Sequence, residues 1–526
     1  MITESDLQFK TKEEVAEIIL AMQQIIAEKD TVIAENKATI ADKNKTIEYL
    51  YEQFRLSRYK RFGSQSEKDT DGPRQLSLFN EAITPDNMLE IVEADEELTI
   101  PEHTRKKKGR KSLPKNLPRK QEVYDLPETE QTCSCGCTLT YIGDEVSEQL
   151  EIIPMKVYII EHIRKKYACR GCEETIKQAP MPKQPIPKSI AAPGLLAHTL
   201  VSKFEDHLPL YRQEHILQRV GVDISRATLS HWVIKCAQLL SPLTKLLLAH
   251  IHNYDVAYAD ESTVQVLKEP GRSAETKSYM WVLGGGPPKQ FALVYHYAPS
   301  RAHTVPLDLL EDFKGYLHCD GYQAYDVLAS KIAITLVACW YHVRRKFKEA
   351  QKVSPKDGLA TQAIQIIKKL ALIEEKAKVD KLTSEQRYHL RQRHALPILE
   401  SFKAWLDKQI HTAPPKTLIG EAIRYTLSQW PKLMVYLQDG RLEISNNRTE
   451  RAIKPFATGR KNWLFANSVE GAEAAAVIYS LIQTCQYQKI ESYNYLRYVL
   501  AHIQECTTIE QLEALLPFNI DPALIK

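Results

Sequence analysis

The chain has no long hydrophobic run and no recognisable export signal. No apolar stretch approaches the roughly 18 residues of a membrane-spanning helix, and no basic segment followed by an apolar one stands at the N-terminus. We therefore exclude a membrane protein and a secreted protein, and we expect the chain in the cytoplasm. Strong net charge is also missing, since 70 basic and 66 acidic residues leave only +4, so a surface for a polyanion must come from local clustering. The 526 residues predict three or four folded units.

Disulfides are not expected in a cytoplasmic chain, so the ten cysteines need another explanation. Five of them form two close-spaced sets, Cys133, Cys135 and Cys137, and then Cys169 and Cys172. A Cys-x-x-Cys pair that follows an earlier cysteine cluster is typical of a structural zinc site, in which four thiolates hold a small β module together. The first set offers three candidates for two places, and the spacing does not choose between them. Free cysteines are the alternative.

Proline and glycine are both absent between Lys12 and Arg61. Apolar residues recur there at a strict spacing of seven, at Ile19, Ile26, Ile33, Ile40, Ile47 and Phe54. This heptad stripe predicts a long helix that pairs with a partner helix. The companion positions mix apolar and polar residues, which favours a weak or register-specifying coiled coil. A single helix packed on its own protein is the alternative.

A strongly polarised segment follows this helix. Residues 81–100 contain seven acids and no base, whereas residues 101–120 contain nine lysines and arginines against one acid. Such composition predicts a flexible linker. Its basic half either lies along DNA phosphates or in a minor groove, or is simply a solvated charge run. The cations concerned are Arg105, Lys106, Lys107, Lys108, Arg110 and Lys111.

Residues 194–240 have a helical pattern with one interruption at Gly221. A helix opening near residue 208, a glycine turn and a second helix capped by Ser225 form the outline of a helix-turn-helix. Arg226, Thr228 and Ser230 would then be available to contact DNA. Because helix pairs are common in α-helical packing, this pattern alone is weak support.

From Asp255 the pattern changes to strands. Segments 256–260, 278–283 and 291–297 predict three strands, followed by a helix, a strand that ends at Asp320, a second helix and a buried strand at 334–339. Residues 343–440 are almost entirely helical in pattern and predict an insertion. This order, with acids at the ends of the first and fourth strands, is that of a ribonuclease-H-like α/β core.

Three acids stand in dense motifs of this predicted core: Asp260, Asp320 and Glu450. Carboxylates from two strands and a helix can converge on a pair of Mg²⁺ ions, which activate a water or hydroxyl and stabilise the departing oxygen of a phosphodiester. Successive strand residues face opposite ways, so Asp260 and Glu261 cannot both serve one site. Asp260 is preferred because it is in phase with the apolar Val256 and Tyr258, and Glu261 is the alternative.

The segment carrying Glu450 also predicts DNA contacts. Glu443, Asn446, Asn447 and Glu450 are spaced for one face of a helix, and either asparagine could hold a phosphate or order the metal ligands. The cations that follow would neutralise bound DNA: Arg451, Lys454, Arg460 and Lys461.

Many dense motifs follow one another in a single order along nearly the whole chain. They include segments 61–68, 109–114, 167–172, 203–212, 259–263, 319–322, 339–347, 446–451, 459–465 and 478–481. Together they resemble the bacterial transposases of insertion sequence sixty-six type, which carry an Asp-Asp-Glu triad.

This resemblance implies a transposase that cuts and rejoins DNA through a ribonuclease-H-like domain with an α-helical insertion. Its catalytic acids map onto Asp260, Asp320 and Glu450, with Mg²⁺ or Mn²⁺ at a two-metal site. The implied partners are terminal inverted repeats, target DNA and small accessory proteins, and the protein would associate with the bacterial nucleoid when bound to DNA. Cys339 and His342 match a family motif whose role the sequence does not give, and packing beside the last strand is the simplest interpretation. Because two DNA ends must be cut together, we expect a dimer or larger assembly.

The resulting domain prediction has eight segments. They are a coiled-coil helix (1–63), a flexible linker (64–120), a zinc-finger-like module (121–185), a helix-turn-helix region (186–250), the first part of the core (251–342), the helical insertion (343–440), the core helix with Glu450 (441–484) and a C-terminal helical segment (485–526). Two other functions stay open: a DNA-binding regulator derived from a transposase, and a nuclease of the same fold without strand transfer.

Overall fold

A computed structural model describes residues 11–62, 157–168, 176–353 and 358–525. All five predicted zinc-ligand cysteines and the basic run from Arg105 to Lys111 lie outside the described residues. The chain divides into two compact units, one made of Met1–Ser66 and Arg164–Lys526 and the other of Glu67–Ile163. Every helix and strand among the described residues belongs to the first unit.

The predicted N-terminal helix is confirmed as α1, Lys12–Phe62. Its six heptad side chains are between 48% and 61% exposed, so no other described part of the chain covers the stripe. Near its C-terminal end the helix is attached to the rest of the unit. The Glu52 carboxylate accepts a hydrogen bond from the Leu418 N–H at 2.8 Å, and the Arg55 guanidinium donates to the Val353 carbonyl at 3.2 Å.

A short antiparallel pair and three helices precede the main sheet. They are β1 (Lys166–Ala168), β2 (Ile176–Gln178), α2 (Pro193–Phe204), α3 (Leu210–Arg219) and α4 (Arg226–His252).

The predicted helix–turn–helix order is confirmed for α3 and α4. Gly221 has φ +81° in the turn, where a side chain would be strained. The Ser225 hydroxyl accepts from the Thr228 N–H at 3.3 Å and caps α4, as expected. However, α4 continues to His252 and buries Leu247 and other residues in the main core. The helix pair is therefore built onto the core and is not a separate module.

Helix α4 is also the one described helix that is long and apolar enough to cross a membrane. This is weak evidence, because the core helix of a soluble protein passes the same test. Nine of its residues are buried inside the protein, and they belong to the hydrophobic core.

The main sheet is mixed, with helices between and beside its strands. Its elements are β3 (Val256–Lys268), β4 (Lys277–Gly285), β5 (Ala292–Ala298), α5 (Thr304–Leu309), β6 (Gly315–Cys319), α6 (Gln323–Lys331) and β7 (Ile334–Ala338). The strand order is β5-β4-β3-β6-β7, in which β4 is antiparallel to both β3 and β5, while β6 and β7 are parallel to β3. The predicted order of strands and helices is confirmed.

One predicted boundary is wrong. Strand β3 does not end at Asp260 but continues to Lys268, because β4 pairs with it from Ala257 to Gln265. Asp260 therefore lies inside a long strand, opposite Val282. The parallel neighbour β6 is shorter and pairs only with the first part of β3.

The described residues of the predicted insertion (343–440) are mostly helical, as the sequence predicts. The helices are α7 (Trp340–Gln351), α8 (Leu359–Val379), α9 (Ser384–Leu390), α10 (Leu396–Gln409) and α11 (Leu418–Met434), with a π-helical turn at Arg391–Ala395 and a 3-10 turn at Val435–Leu437.

A fully buried arginine connects this insertion to the segment that returns to the core. The Arg391 guanidinium binds both carboxylate oxygens of Glu374 at 2.7 Å. It also donates to the carbonyls of Tyr436, Asp439 and Leu442, at 2.6, 2.9 and 2.7 Å. Each of the five guanidinium N–H groups has a hydrogen-bond acceptor, and Glu374 supplies the opposite charge. The buried positive charge is therefore compensated.

The chain ends in α12 (Asn447–Trp463), β8 (Ala466–Ser468), α13 (Val469–Gln488), α14 (Ser492–His502) and α15 (Ile509–Glu513). Helix α13 covers the outer strand β5, whose free backbone groups it satisfies. The hydroxyls of Ser480 and Thr484 accept from the N–H groups of Tyr295 and Leu293 at 2.8 and 3.0 Å. Covering this edge with a helix prevents it from pairing with another strand.

Candidate active site

Asp260 lies on β3, and Asp320 directly follows the neighbouring parallel strand β6. The register of β3 and β6 pairs Val256 with Tyr316 and Tyr258 with His318, a constant offset of 60 residues. The same offset relates Asp260 to Asp320, which directly follows β6. Since adjacent strands are about 4.8 Å apart, the two acids are placed side by side where the parallel pairing ends.

Glu450 stands in the first turn of α12, and a buried asparagine fixes the start of that helix. The Asn446 side-chain amide donates to the Ala259 carbonyl at 2.9 Å, and its backbone N–H donates to the Cys339 thiol at 3.2 Å. Asn446 is 1% exposed. It therefore joins the helix of Glu450 to the strand residue directly before Asp260.

The three acids are close enough to act on one another electrostatically. Burial raises the pKa of Asp260 to about 8, and the charges of Glu261, Asp320 and Glu450 add to this effect. The N–H of Glu261, which donates to the Asp260 carboxylate at 2.8 Å, opposes it only in part. A carboxylate whose neighbours are three other acids is a good place for a cation.

Glu261 lies beside this group and has partners of its own. Arg301 and the Tyr325 hydroxyl both donate to its carboxylate, the latter at 3.0 Å. Burial and the charge of Asp320 raise the pKa of Glu261, while Arg301 lowers it. Arg301 also lies 3.9 Å from an Asp320 oxygen and stacks over the Tyr322 ring at 3.7 Å. Thus Glu261 holds an arginine beside the acids, and the choice of Asp260 over Glu261 stays a prediction.

Glu450 is turned towards α7. Its carboxylate lies 3.3 Å from Arg345 and 3.7 Å from the Nδ1 atom of His342. Cys339, His342 and Glu450 are the one set of potential ligands, among the described residues, whose three ligand atoms all lie within 4.8 Å of one another. Burial lowers the pKa of His342 and raises that of the Cys339 thiol to about 11. The acids Asp260, Asp320 and Glu450 converge more loosely than this.

An open cleft of about 390 Å³ is lined by Asp320, one of the three acids. Its walls include Arg301, Asp320, His342, Arg345, Lys346 and Tyr425. A cleft lined by carboxylates together with arginine and lysine suits a phosphodiester held at a cation site.

Comparison with known proteins decides the family. A family model described as "Transposase IS66 family" matches residues 188–474, more than half of the chain and all three acids. The chain belongs to this transposase family. "Uncharacterized protein y4jD" of Sinorhizobium fredii is 34% identical over 423 residues, which cover 77% of this chain and 81% of the relative. "Uncharacterized protein y4hP" of the same organism is 31% identical over 483 residues, which cover 87% and 86%.

Other models of IS66 proteins match the remaining segments. The "zinc-finger binding domain of transposase IS66" matches residues 130–173, which supports a structural zinc in the predicted module. "Transposase C of IS166 homeodomain" matches residues 49–121, and the "IS66 C-terminal element" matches residues 480–518. As a member of this family the chain is a DNA-binding protein.

In this IS66-family chain, three sequence-based assignments near Glu450 need correction. Asn446 is buried and bonded to Ala259, so it cannot contact DNA. Glu443 precedes α12 and pairs with Arg448, so it is not on the helix face of Glu450. Arg460 donates to the backbone and hydroxyl of Thr263, which ties α12 to β3 and leaves it little freedom to bind a phosphate.

The other described candidates for DNA binding remain accessible. Arg226, Ser230, Arg451, Lys454 and Lys461 are exposed, and Thr228 and Asn447 are partly buried. Their contacts with DNA stay predictions.

Sequence reasoning missed Arg301, Arg345 and Tyr325. Arg345 lies in the segment 339–347 that carries the family resemblance, so its motif was a usable signal. Arg301 and Tyr325 gave none, because their contacts with Glu261 span 40 and 64 residues.

Proposed function

We propose that the chain is a DNA transposase that cleaves the ends of its insertion sequence and joins them to target DNA. The observation that carries this proposal is the convergence of Asp260, Asp320 and Glu450 from two adjacent strands and a helix. The strand order, with three antiparallel strands followed by two parallel ones, supports a ribonuclease-H-like core. The helical insertion between the second and third acids fits the same interpretation.

The acids fit a pair of divalent cations, Mg²⁺ or Mn²⁺. Carboxylate oxygens are the ligands that these hard ions prefer, and one Glu450 oxygen is buried without a hydrogen-bond partner among the described residues. Asp260 and Asp320 would hold the ions directly, and Glu450 would complete the second site after turning from His342 and Arg345. When bound, the ions supply activation of a water or 3′-hydroxyl and stabilisation of the departing oxygen.

The other residues of the site position these groups and bind DNA. Asn446 fixes the start of the Glu450 helix, and Glu261 holds Arg301 beside Asp320. Arg345 and Lys346, at the rim of the cleft, would bind the phosphates that flank the scissile bond. Outside the cleft, Arg451, Lys454 and Lys461 would neutralise more of the DNA backbone.

The function can be tested with the purified protein, Mg²⁺ and a duplex taken from the DNA that flanks the reading frame. Joined products identify a transposase, and nicks without joining identify a nuclease. A mobility shift without cleavage identifies a DNA-binding regulator and contradicts the proposal. A duplex of the same length and composition in scrambled order controls for sequence-independent binding.

The requirement for Mg²⁺ should fall as the pH rises. The pKa of the Asp260 carboxyl is raised to about 8, and a carboxylate must lose its proton to bind a metal. Below that pH, the Mg²⁺ concentration for half-maximal cleavage should drop by about tenfold per pH unit, and it should level off above it. Cleavage measured across Mg²⁺ titrations from pH 6.5 to 9 tests this expectation. A constant half-maximal concentration over that range would contradict it.

We also propose that the exposed stripe of α1 pairs two protomers. A lysine in place of Ile33, which is 49% exposed on the stripe, should dissociate the assembly because a paired helix would bury the charge. Ala34→Lys adds the same charge one position off the stripe and is the matched control. Analytical ultracentrifugation should give half the mass for Ile33→Lys only. Equal masses for both variants would place the contact elsewhere.

A further inference from the structure

Helix α12 ends in a strained turn. Leu464 follows the helix with φ +67° and ψ −54°, and the Phe465 N–H donates to the Trp463 carbonyl at 2.9 Å. A three-residue turn closed in this way, with a positive φ at its centre, is the rarer and strained form of the γ-turn. Strain of this kind persists only where the surrounding structure enforces it, and it clusters at functional sites.

The turn presents two hydrophobic side chains to solvent. Leu464 is 61% exposed and Phe465 is 42% exposed, and neither packs against the hydrophobic core. Trp463 directly before them does pack inward, with its ring 5.6 Å from that of Phe456. Directly after them, Ala466 pairs with Val266 of β3. The backbone of Leu464 and Phe465 is therefore held in place by the packed Trp463 on one side and the paired Ala466 on the other.

The exposed residues of α12 that lead to this pair are mostly basic. Arg451, Lys454 and Lys461 are exposed along the helix. Lys268, on the strand beside β8, is exposed as well, and one exposed acid, Glu470, lies in the first turn of α13. Hydrophobic side chains at the end of a basic helix fit a polyanion that has apolar parts, which describes the stacked bases of DNA better than a second protein surface.

The same helix connects the turn to the active site. Leu464 follows Glu450 by 14 residues, or about 20 Å at 1.5 Å per residue. That length equals about six base pairs at 3.4 Å per step. We propose that Leu464 and Phe465 form a wedge that unstacks the bound duplex about six base pairs from the scissile phosphate. This inference rests on the proposed function, because it places duplex DNA along α12.

The wedge can be tested by the fluorescence of 2-aminopurine, which increases when the base is unstacked. The probe is the duplex flanking the reading frame, with the analogue placed at each position in turn and with EDTA present to prevent cleavage. Binding of the full-length protein should raise the fluorescence several-fold at one or two neighbouring positions. In Leu464→Ala/Phe465→Ala this rise should fall at least threefold while the mobility shift remains. Leu524→Ala, which truncates another exposed leucine (53%), should behave as the wild type.

Leu464→Gly distinguishes the effect of the leucine side chain on DNA from the effect of the strained backbone on stability. Glycine adopts a positive φ without strain, so this variant should melt at the same or a higher temperature than the wild type. It should still lose most of the unstacking signal. Loss of signal together with a lower melting temperature would mean that Leu464 serves stability, and that result overturns the wedge.

Other outcomes also decide the question. A wild-type protein that binds the duplex without any fluorescence change contradicts the wedge, whether or not it cleaves. Unstacking without cleavage in Mg²⁺ supports the wedge and contradicts the transposase. If the double variant changes the mass in ultracentrifugation but not the unstacking, the apolar pair contacts a second copy of the chain and the wedge is wrong.

Discussion

Asp260→Asn should abolish DNA cleavage and, in the absence of metal, stabilise the protein. The carboxylate is one of three proposed metal ligands, and its loss should remove several kcal/mol of transition-state stabilisation, about 10³-fold in rate or more. DNA binding should remain, because the charge removed is negative. Cleavage of the flanking duplex, with a mobility shift measured in parallel, tests both expectations.

The stability effect has a defined sign. Burial and neighbouring acids raise the pKa of Asp260 to about 8, so the folded protein holds this proton more tightly than the unfolded chain. The resulting stabilisation is lost as the pH rises from about 4 towards 8. Asparagine carries no charge, so the variant should exceed the wild type by roughly 2 kcal/mol at pH 8.5 in EDTA, allowing for the partial solvent contact of the side chain. The difference should disappear at about pH 4 and below, where the carboxyl of the unfolded chain is also protonated.

Two control variants distinguish the site from its surroundings. Asp312→Asn removes an exposed acid outside the cleft and should leave cleavage unchanged. Glu261→Gln should weaken the hold on Arg301 and reduce cleavage by a smaller factor than Asp260→Asn. If Glu261→Gln abolishes cleavage and Asp260→Asn does not, the choice between the two acids must be reversed.

Asn446→Ala should have the second-largest effect although it touches no DNA. The substitution leaves the buried Ala259 carbonyl without its partner, which costs about 1–3 kcal/mol. It also releases the start of the Glu450 helix, and a displacement of about 1 Å there can cost on the order of 10²-fold in rate. Thermal unfolding and single-turnover cleavage measure the two effects.

The Mg²⁺ requirement of Asn446→Ala tests whether Asn446 positions Glu450. If Asn446 aligns Glu450 with the other acids, the Mg²⁺ concentration for half-maximal cleavage should rise, whereas a loss of stability alone would not change it. Asn447→Ala, one residue on and only partly buried, should leave that concentration unchanged. A normal Mg²⁺ requirement in folded Asn446→Ala would reduce Asn446 to a structural residue.

The sequence was informative where chemistry and local pattern agree. The switch from strand to helix patterns located the strand before Asp320 and the insertion, while the choice of Asp260 over Glu261 from strand alternation stays a prediction. The continuation of β3 past Asp260 was missed, because that extension depends on pairing with β4 and not on the apolar run before the acid. Where a strand ends depends on the neighbouring strands with which it pairs, and the local sequence pattern carries no information about them.

The polar residues around Glu450 show a different limit. Asn446 and Arg460 have the residue types expected of DNA contacts, yet both bind β3, which lies 187 and 197 residues away in the chain. Spacing predicts which residues share a helix face, but not whether that face meets solvent or another strand. The burial of Arg391 is a similar case in the insertion, because its partners Glu374 and Leu442 lie 17 and 51 residues away in the chain.

Arg391 has a consequence for any attempt to shorten this protein. Its guanidinium donates hydrogen bonds to three carbonyl groups within residues 436–442. Asn446 and Glu450 follow this segment by a few residues. A trimmed version lacking the helices between β7 and α12 would leave three main-chain oxygens without donors directly upstream of the third acid. The helical insertion thus supports the segment that leads to Glu450, the proposed third metal ligand, and a shortened protein would need other donors for these oxygens.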